Sequence, residues 1–110
     1  MTLAEINPET VNANNSNYTI IDVRGDDEYN AELGHIEKSK LVTLGEELSK
    51  WIVENKETHK NKEIVFVCRS GGRSGKATEE ALSHGYTSVY NMVGGMLSWN
   101  DLNLPKASNE

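Results

Sequence analysis

Two short runs, Tyr18-Thr19-Ile20-Ile21-Asp22-Val23 and Ile64-Val65-Phe66-Val67, are continuous in β-branched and apolar residues. A strand with one solvated face alternates apolar and polar side chains, whereas a strand that does not alternate is covered on both faces. Both runs therefore read as buried strands of a parallel sheet lying between two layers of helix. Ser88-Val89-Tyr90-Asn91-Met92-Val93 is a weaker third strand and Lys40-Leu41-Val42 a short fourth. Thr2 to Ile6 reads as an edge strand before Asn7-Pro8, where proline suits the first position of a helix.

Helical signals fill the gaps. Thr43-Leu44-Gly45-Glu46 has the spacing of a capping box, and Leu44, Leu48, Trp51 and Ile52 follow at helical intervals. That helix is expected to run to about Lys56, leaving polar Asn55–Lys62 as a surface loop with His59 solvated and Trp51 in the core. Asp26-Asp27-Glu28 reads as the acidic first turn of a helix, with Glu28 pairing Arg24. Ser74–His84 forms a helix with Ala77, Ala81 and Leu82 inward, His84 in its last turn and Gly85 as its stop. Gly94-Gly95 opens a final helix carrying Met96, Leu97, Trp99 and Leu102 and ending before Pro105, with Trp99 in the core. The pattern is an α/β fold: an open, doubly wound, mostly parallel sheet of about five strands with helices on both faces. A chain of 110 residues suits one domain, 1–110, with a folded core of about 2–105 and a frayed tail over Lys106–Glu110.

Charge and cysteine content narrow the function. Eleven basic and seventeen acidic residues give a net charge of −6, which argues against nucleic acid as a partner. The first 37 residues hold one arginine against eight acids; the rest hold ten basic and nine acidic groups. One cysteine allows no internal disulfide and no multi-cysteine metal cage, and His35, His59 and His84 lack ligand spacing. No metal or cofactor is expected, and His35 is expected to be a hydrogen-bonded structural residue. Met1-Thr2-Leu3-Ala4-Glu5 has no basic leader, and no apolar run approaches the ~20 residues of a membrane span. A cytoplasmic protein with no membrane partner is expected.

The chemistry concentrates in Cys68-Arg69-Ser70-Gly71-Gly72-Arg73-Ser74, between a buried strand and a helix. Ligand sites of open α/β sheets lie outside the carboxyl ends of the strands. The glycine pair lets the backbone curl so that several N–H groups converge on one point, and the helix N-terminus adds positive potential. Arg69, Arg73 and Lys76 add formal charge, with no acid between Ile64 and Thr78. Each effect favours thiolate over thiol at Cys68, which is what makes a cysteine nucleophilic near neutral pH.

Three other motifs overlap this stretch. A P-loop requires Gly, four residues and Gly-Lys-Ser/Thr, but Ser70 stands at the first position and Ala77 at the last. A nucleophile elbow requires a glycine where Lys76 stands. A cysteine-dependent phosphatase loop carries its arginine six residues after the cysteine, and here Arg73 is five after Cys68.

With that shorter loop, the chain resembles a single-domain rhodanese, a rhodanese-like sulfurtransferase domain. The likeness lies in Asp22-Val23-Arg24 with Glu28-Tyr29 and Gly34-His35-Ile36, in the loop Cys68–Arg73 with Ser74, and in Gly94-Gly95-Met96-Leu97-Ser98-Trp99 ending at Leu104-Pro105. Together these span nearly the whole chain. Where that family usually has a Gly-Ala pair after Gly-His-Ile, this chain has Glu37-Lys38-Ser39-Lys40. The resemblance implies that Cys68 takes a sulfane sulfur from thiosulfate or a similar donor as a persulfide. It then passes the sulfur to cyanide, a thiol or a sulfur-carrier protein. Arg69, Ser70, Gly71, Gly72, Arg73 and Ser74 would bind the donor. A sulfur-relay or interaction module, loaded by a protein partner and using thiosulfate poorly, is the alternative.

Overall fold

The computed structural model describes residues 4–107. In chain order the elements are β1 (Glu5–Ile6), α1 (Pro8–Ala13), a 3-10 turn (Asn15–Asn17), β2 (Thr19–Asp22), α2 (Asp26–Tyr29) and β3 (Lys40–Leu41). There follow α3 (Glu46–Glu54), α4 (Lys56–His59), β4 (Ile64–Val67), α5 (Gly72–Ser83), β5 (Val89–Met92) and α6 (Gly95–Asp101). Five strands form one open sheet in the order β1-β5-β4-β2-β3, and every neighbouring pair is parallel. The expected sheet is present, wholly rather than mostly parallel. Of the expected edge strand, Thr2 and Leu3 lie outside the described residues.

Non-alternating strands have the consequence inferred from them. Along β4, Ile64 and Phe66 join one apolar cluster with Ile21, Leu48, Ile52, Ala77 and Ala81, under α3 and α5. Val65 and Val67 join the opposite cluster with Val11, Met92, Met96 and Trp99, under α1 and α6. Ile20 and Ile21 divide in the same way, so β2 and β4 form the central partition of the molecule. Trp99 is buried and its indole N–H donates to the Pro105 carbonyl at 2.9 Å, whereas Trp51 is partly buried at the edge of its cluster.

Several local expectations are corrected. Thr43 and Glu46 form no capping box: α3 is capped at Gly45, and the Glu47 carboxylate accepts the Thr43 N–H at 2.7 Å. The Thr43 hydroxyl instead donates to the Arg24 carbonyl, tying the helix entry to the end of β2. α3 stops at Glu54, and Asn55–Lys62 is not all loop, because Lys56–His59 makes a further helical turn. His59 is half-buried, edge-on to Trp51 with ring centroids 5.2 Å apart, so it is not the solvated residue expected. α5 begins at Gly72, two residues early, and ends at Ser83 with His84 as its cap, followed by the expected stop Gly85, whose φ is +89°. Lys106 and Ala107 are not frayed: His35 and Ala107 exchange two backbone hydrogen bonds of 2.8 Å, and the Lys106 ammonium reaches the Asn100 side chain.

Candidate active site

β4 is the central strand, and its carboxyl end delivers Cys68 into the mouth of the sheet with 1% of its surface exposed. The chain turns at Gly71, at φ +110°, a left-handed conformation that glycine adopts without penalty. Gly72 has an ordinary φ and open space around it, so only the first glycine of the pair is required by the turn. The turn brings the Gly71 N–H to 3.0 Å and the Ser74 hydroxyl to 3.2 Å from Cys68 Sγ. Burial raises the thiol pKa. Hydrogen bonds from the Ser74 hydroxyl and from the N–H groups of Ser74, Gly71 and Ser70 outweigh it, leaving the thiol below its ordinary value. Cys68 therefore sits in the anion nest expected of it.

A second wall comes from α6. The N–H groups of Met96 and Leu97 donate to the carbonyls of Cys68 and Arg69 at 2.9 and 3.0 Å. A Cβ on Gly95 would collide with the Cys68 carbonyl oxygen and the Arg69 carbonyl group, so this position admits only glycine. The sequence marked Gly94-Gly95 as a helix start and did not reveal that it backs the cysteine loop. Asn91 was also missed. From the end of β5 its Oδ1 accepts the Ser74 hydroxyl at 2.5 Å and its Nδ2 donates to the Gly71 carbonyl at 3.2 Å. The available signal was a lone amide interrupting an apolar strand.

The two loop arginines differ. Arg69 and Ser70 are exposed, and the Arg69 guanidinium makes no hydrogen bond or ion pair among the described residues. Arg73 is held by Glu28, Nη1 to Oε1 at 2.7 Å and Nη2 to Oε2 at 2.8 Å. The expected Arg24–Glu28 pair is therefore absent. Asp22 takes Arg24 instead, two residues away on the same face of the strand, through Nε at 2.9 Å and Nη2 at 2.8 Å. Arg73 holds the Glu28 carboxyl down at about 2, with help from the Gly25 N–H, against the opposing effect of burial. The stretch free of acids in sequence is thus not free of them in space. His35 is structural, as expected: its Nδ1 lies 2.9 Å from the Tyr29 carbonyl and its ring stacks on Tyr29 at 3.7 Å.

Beside Arg69 opens a cavity of about 330 Å³ between α2 and α6, walled by Ala31, Leu33 and Leu97 and edged by Arg24, Glu28 and Glu32. Among the described residues no group of three or more His, Cys, Asp or Glu side chains is placed to hold a metal ion. No helix among them is long and apolar enough to cross a membrane. The geometry supplies a buried sulfur nucleophile with amide and hydroxyl donors and an exposed cation at its mouth. Such a centre suits attack on a soft atom attached to an anionic group.

Known proteins share this chain's sequence pattern and fold. The sequence pattern of the rhodanese-like domain family matches residues 7–102. Thiosulfate sulfurtransferase 18 of Arabidopsis thaliana is 35% identical over 100 residues, which cover 82% of this chain and 72% of that protein. The tRNA uridine(34) hydroxylase of Buchnera aphidicola is also 35% identical, over 86% of this chain but only 30% of that much longer protein. A rhodanese-related protein from Thermoplasma volcanium superimposes with a TM-score of 0.75 at 27% identity, over 93% of this chain and 95% of that one.

Proposed function

The chain belongs to the rhodanese-like domain family, and from that premise we propose that it is a sulfurtransferase working through a persulfide on Cys68. The observation that carries this reading is the pair of donors on Cys68 Sγ, the Gly71 N–H and the Ser74 hydroxyl. A thiolate held by such donors needs no general base. In the proposed reaction it attacks the outer sulfur of thiosulfate, a new S–S bond forms, and the donor's own S–S bond breaks with its electron pair leaving on sulfite. The loop amides then hold the outer sulfur of the persulfide, which goes to cyanide, a thiol or a carrier protein.

In this reading Arg69, Ser70, Gly71, Gly72, Arg73 and Ser74 make the donor-binding rim. Arg69 is its exposed cation, while Arg73, neutralised by Glu28, chiefly fixes the loop. A reducing compartment suits a catalyst of this kind, and the cytoplasm is the proposed location.

The Glu28–Arg73 pair favours a second reading, since it leaves the rim with less charge to hold a sulfonate. Under it, the sulfur arrives from a persulfide on a protein partner and thiosulfate is a poor donor. One experiment separates the two. The protein is incubated with thiosulfate, freed of excess and weighed by mass spectrometry. One added sulfur on Cys68, removed by cyanide as thiocyanate, is the expected result. An unmodified Cys68 that gains sulfur only from a persulfidated protein would replace the first reading with the second.

A further inference from the structure

The cavity between α2 and α6 shares Arg69 with the donor-binding rim, while its other lining residues lie outside the cysteine loop. We propose that it holds the α-amino-acid head of a small thiol that accepts the sulfur, with the carboxylate on Arg24 and Arg69 and the ammonium on Glu32. The proposal rests on the sulfurtransferase reading and names the acceptor class of the same site.

Arg24 carries the argument. It is 1% exposed, and two of its guanidinium nitrogens are committed: Nε and Nη2 to Asp22, and Nη2 also to the Gly34 carbonyl at 2.6 Å. Its Nη1 makes no hydrogen bond among the described residues, while Arg24 itself lines the cavity. That nitrogen is not sealed from solvent, and an anion in the cavity can take its N–H groups in place of water. Arg69, which has no ion-pair partner among the described residues, lines the same cavity.

The acids decide what kind of anion. Glu28 is occupied on both oxygens by Arg73. The Glu32 carboxylate is exposed and makes no hydrogen bond or ion pair among the described residues; Lys106 bonds only its backbone carbonyl. The cavity therefore offers unpaired groups of both signs. A dianion such as thiosulfate would face Glu32 unfavourably, whereas a zwitterionic amino acid meets a partner at each end. The apolar walls, Ala31, Leu33 and Leu97, suit a methylene stem running toward the loop, and about 330 Å³ admits more than a sulfonate.

The step balances without a further reagent. The acceptor thiolate attacks the outer sulfur of protonated Cys68 persulfide, forming its own S–S bond. The bond to Cys68 Sγ breaks with its electron pair returning to Sγ, which the Gly71 and Ser74 donors receive as thiolate. The proton stays on the transferred sulfur.

The full chain tests this in two arms. S-methyl-L-cysteine, which cannot react, is titrated into unloaded protein while the backbone amides of Leu33 and Leu97 are followed by NMR. A saturable shift is expected, and its loss in Ala31→Trp, which fills the cavity from an exposed position. This arm needs no chemistry at Cys68, so it supports the cavity ligand even where thiosulfate fails to load the protein; absence of a saturable shift overturns the proposal. In the second arm, persulfidated protein is discharged by L-cysteine, N-acetyl-L-cysteine, cysteamine or cyanide at matched thiolate concentration. L-cysteine is expected to exceed each truncated thiol by about tenfold, the worth of one charge-assisted hydrogen bond. Glu32→Gln should erase its advantage over N-acetyl-L-cysteine, and Ala31→Trp should lower the ratio of cysteine to cyanide discharge about tenfold. Equal discharge by all three thiols overturns the proposal.

Discussion

Ser74 has one hydroxyl hydrogen and two acceptors, Asn91 Oδ1 at 2.5 Å and Cys68 Sγ at 3.2 Å. Asn91 cannot exchange its oxygen for its nitrogen there, because Nδ2 is held by the Gly71 carbonyl. It therefore competes with the thiolate for a hydrogen bond that lowers the Cys68 pKa. Asn91→Leu should release the hydroxyl to sulfur, lower the thiol pKa and speed alkylation by iodoacetamide at neutral pH about threefold. Ser74→Ala should do the reverse. If Asn91 merely propped the loop through Gly71, its removal would slow alkylation, so the sign of the change decides. Lys38 shows the other way a single position departs from easy chemistry. It lies in the Glu37–Lys40 stretch with a φ of +74°, while Tyr29 pins the same turn through the Ser39 carbonyl at 2.7 Å. A left-handed non-glycine residue costs about 1–2 kcal/mol, partly offset by the greater chain entropy of glycine when unfolded. Lys38→Gly should stabilise the protein by about 0.5 kcal/mol, seen as a higher urea midpoint at unchanged slope.

Between elements, the contact that local patterns could not reveal is the latch from α2 to the cysteine loop. Asp26-Asp27-Glu28 was legible as an acidic helix start, and it is one. The partner of Glu28, however, lies 45 residues away, and periodicity reports only on neighbours along the same element. Likewise the apolar spacing marked α3, but the Asn55 cap on the Trp51 carbonyl ended it early, and the Trp51–His59 contact accompanies an extra turn in a polar stretch. The latch has a pH signature. Folding lowers the Glu28 pKa from 4.5 to about 2, so its stabilisation is fully present above pH 4.5 and is lost as the pH falls through 2. The paired side chains are 38% and 33% exposed, so solvent screening limits the contribution to about 1 kcal/mol. Glu28→Gln should be less stable than the parent by about that amount at pH 7, with the gap narrowing between pH 4.5 and 2 in urea denaturation. A gap independent of pH would assign the loss to packing instead of charge.

The architecture was readable because two non-alternating strands can be covered only by helices on both faces, and β2 and β4 lie side by side at the centre of such a sheet. The place of Cys68 was readable for a related reason: an open parallel sheet sends its central strand ends to one mouth. What assembles at that mouth was not, since Glu28 from α2, Asn91 from β5 and Gly95 from α6 meet the loop only through the strand order. The same assembly revises the meaning of charge. A net of −6 overall had stood against an acid-free cationic loop, but Glu28 occupies Arg73, leaving exposed Arg69 and Lys76 on that stretch. Binding of a polyanion needs several cations that neutralise phosphates together, each releasing a counterion, and two exposed side chains on a net-acidic body do not supply them. RNA should therefore bind with a Kd weaker than about 100 µM at physiological salt, as measured by fluorescence anisotropy. A small donor anion asks less, needing one cation and the loop amides at close range. Persulfide formation from thiosulfate should accordingly be unaffected by added RNA, whereas competitive inhibition by RNA would mean that the basic groups act together as a larger surface than the Glu28 latch permits.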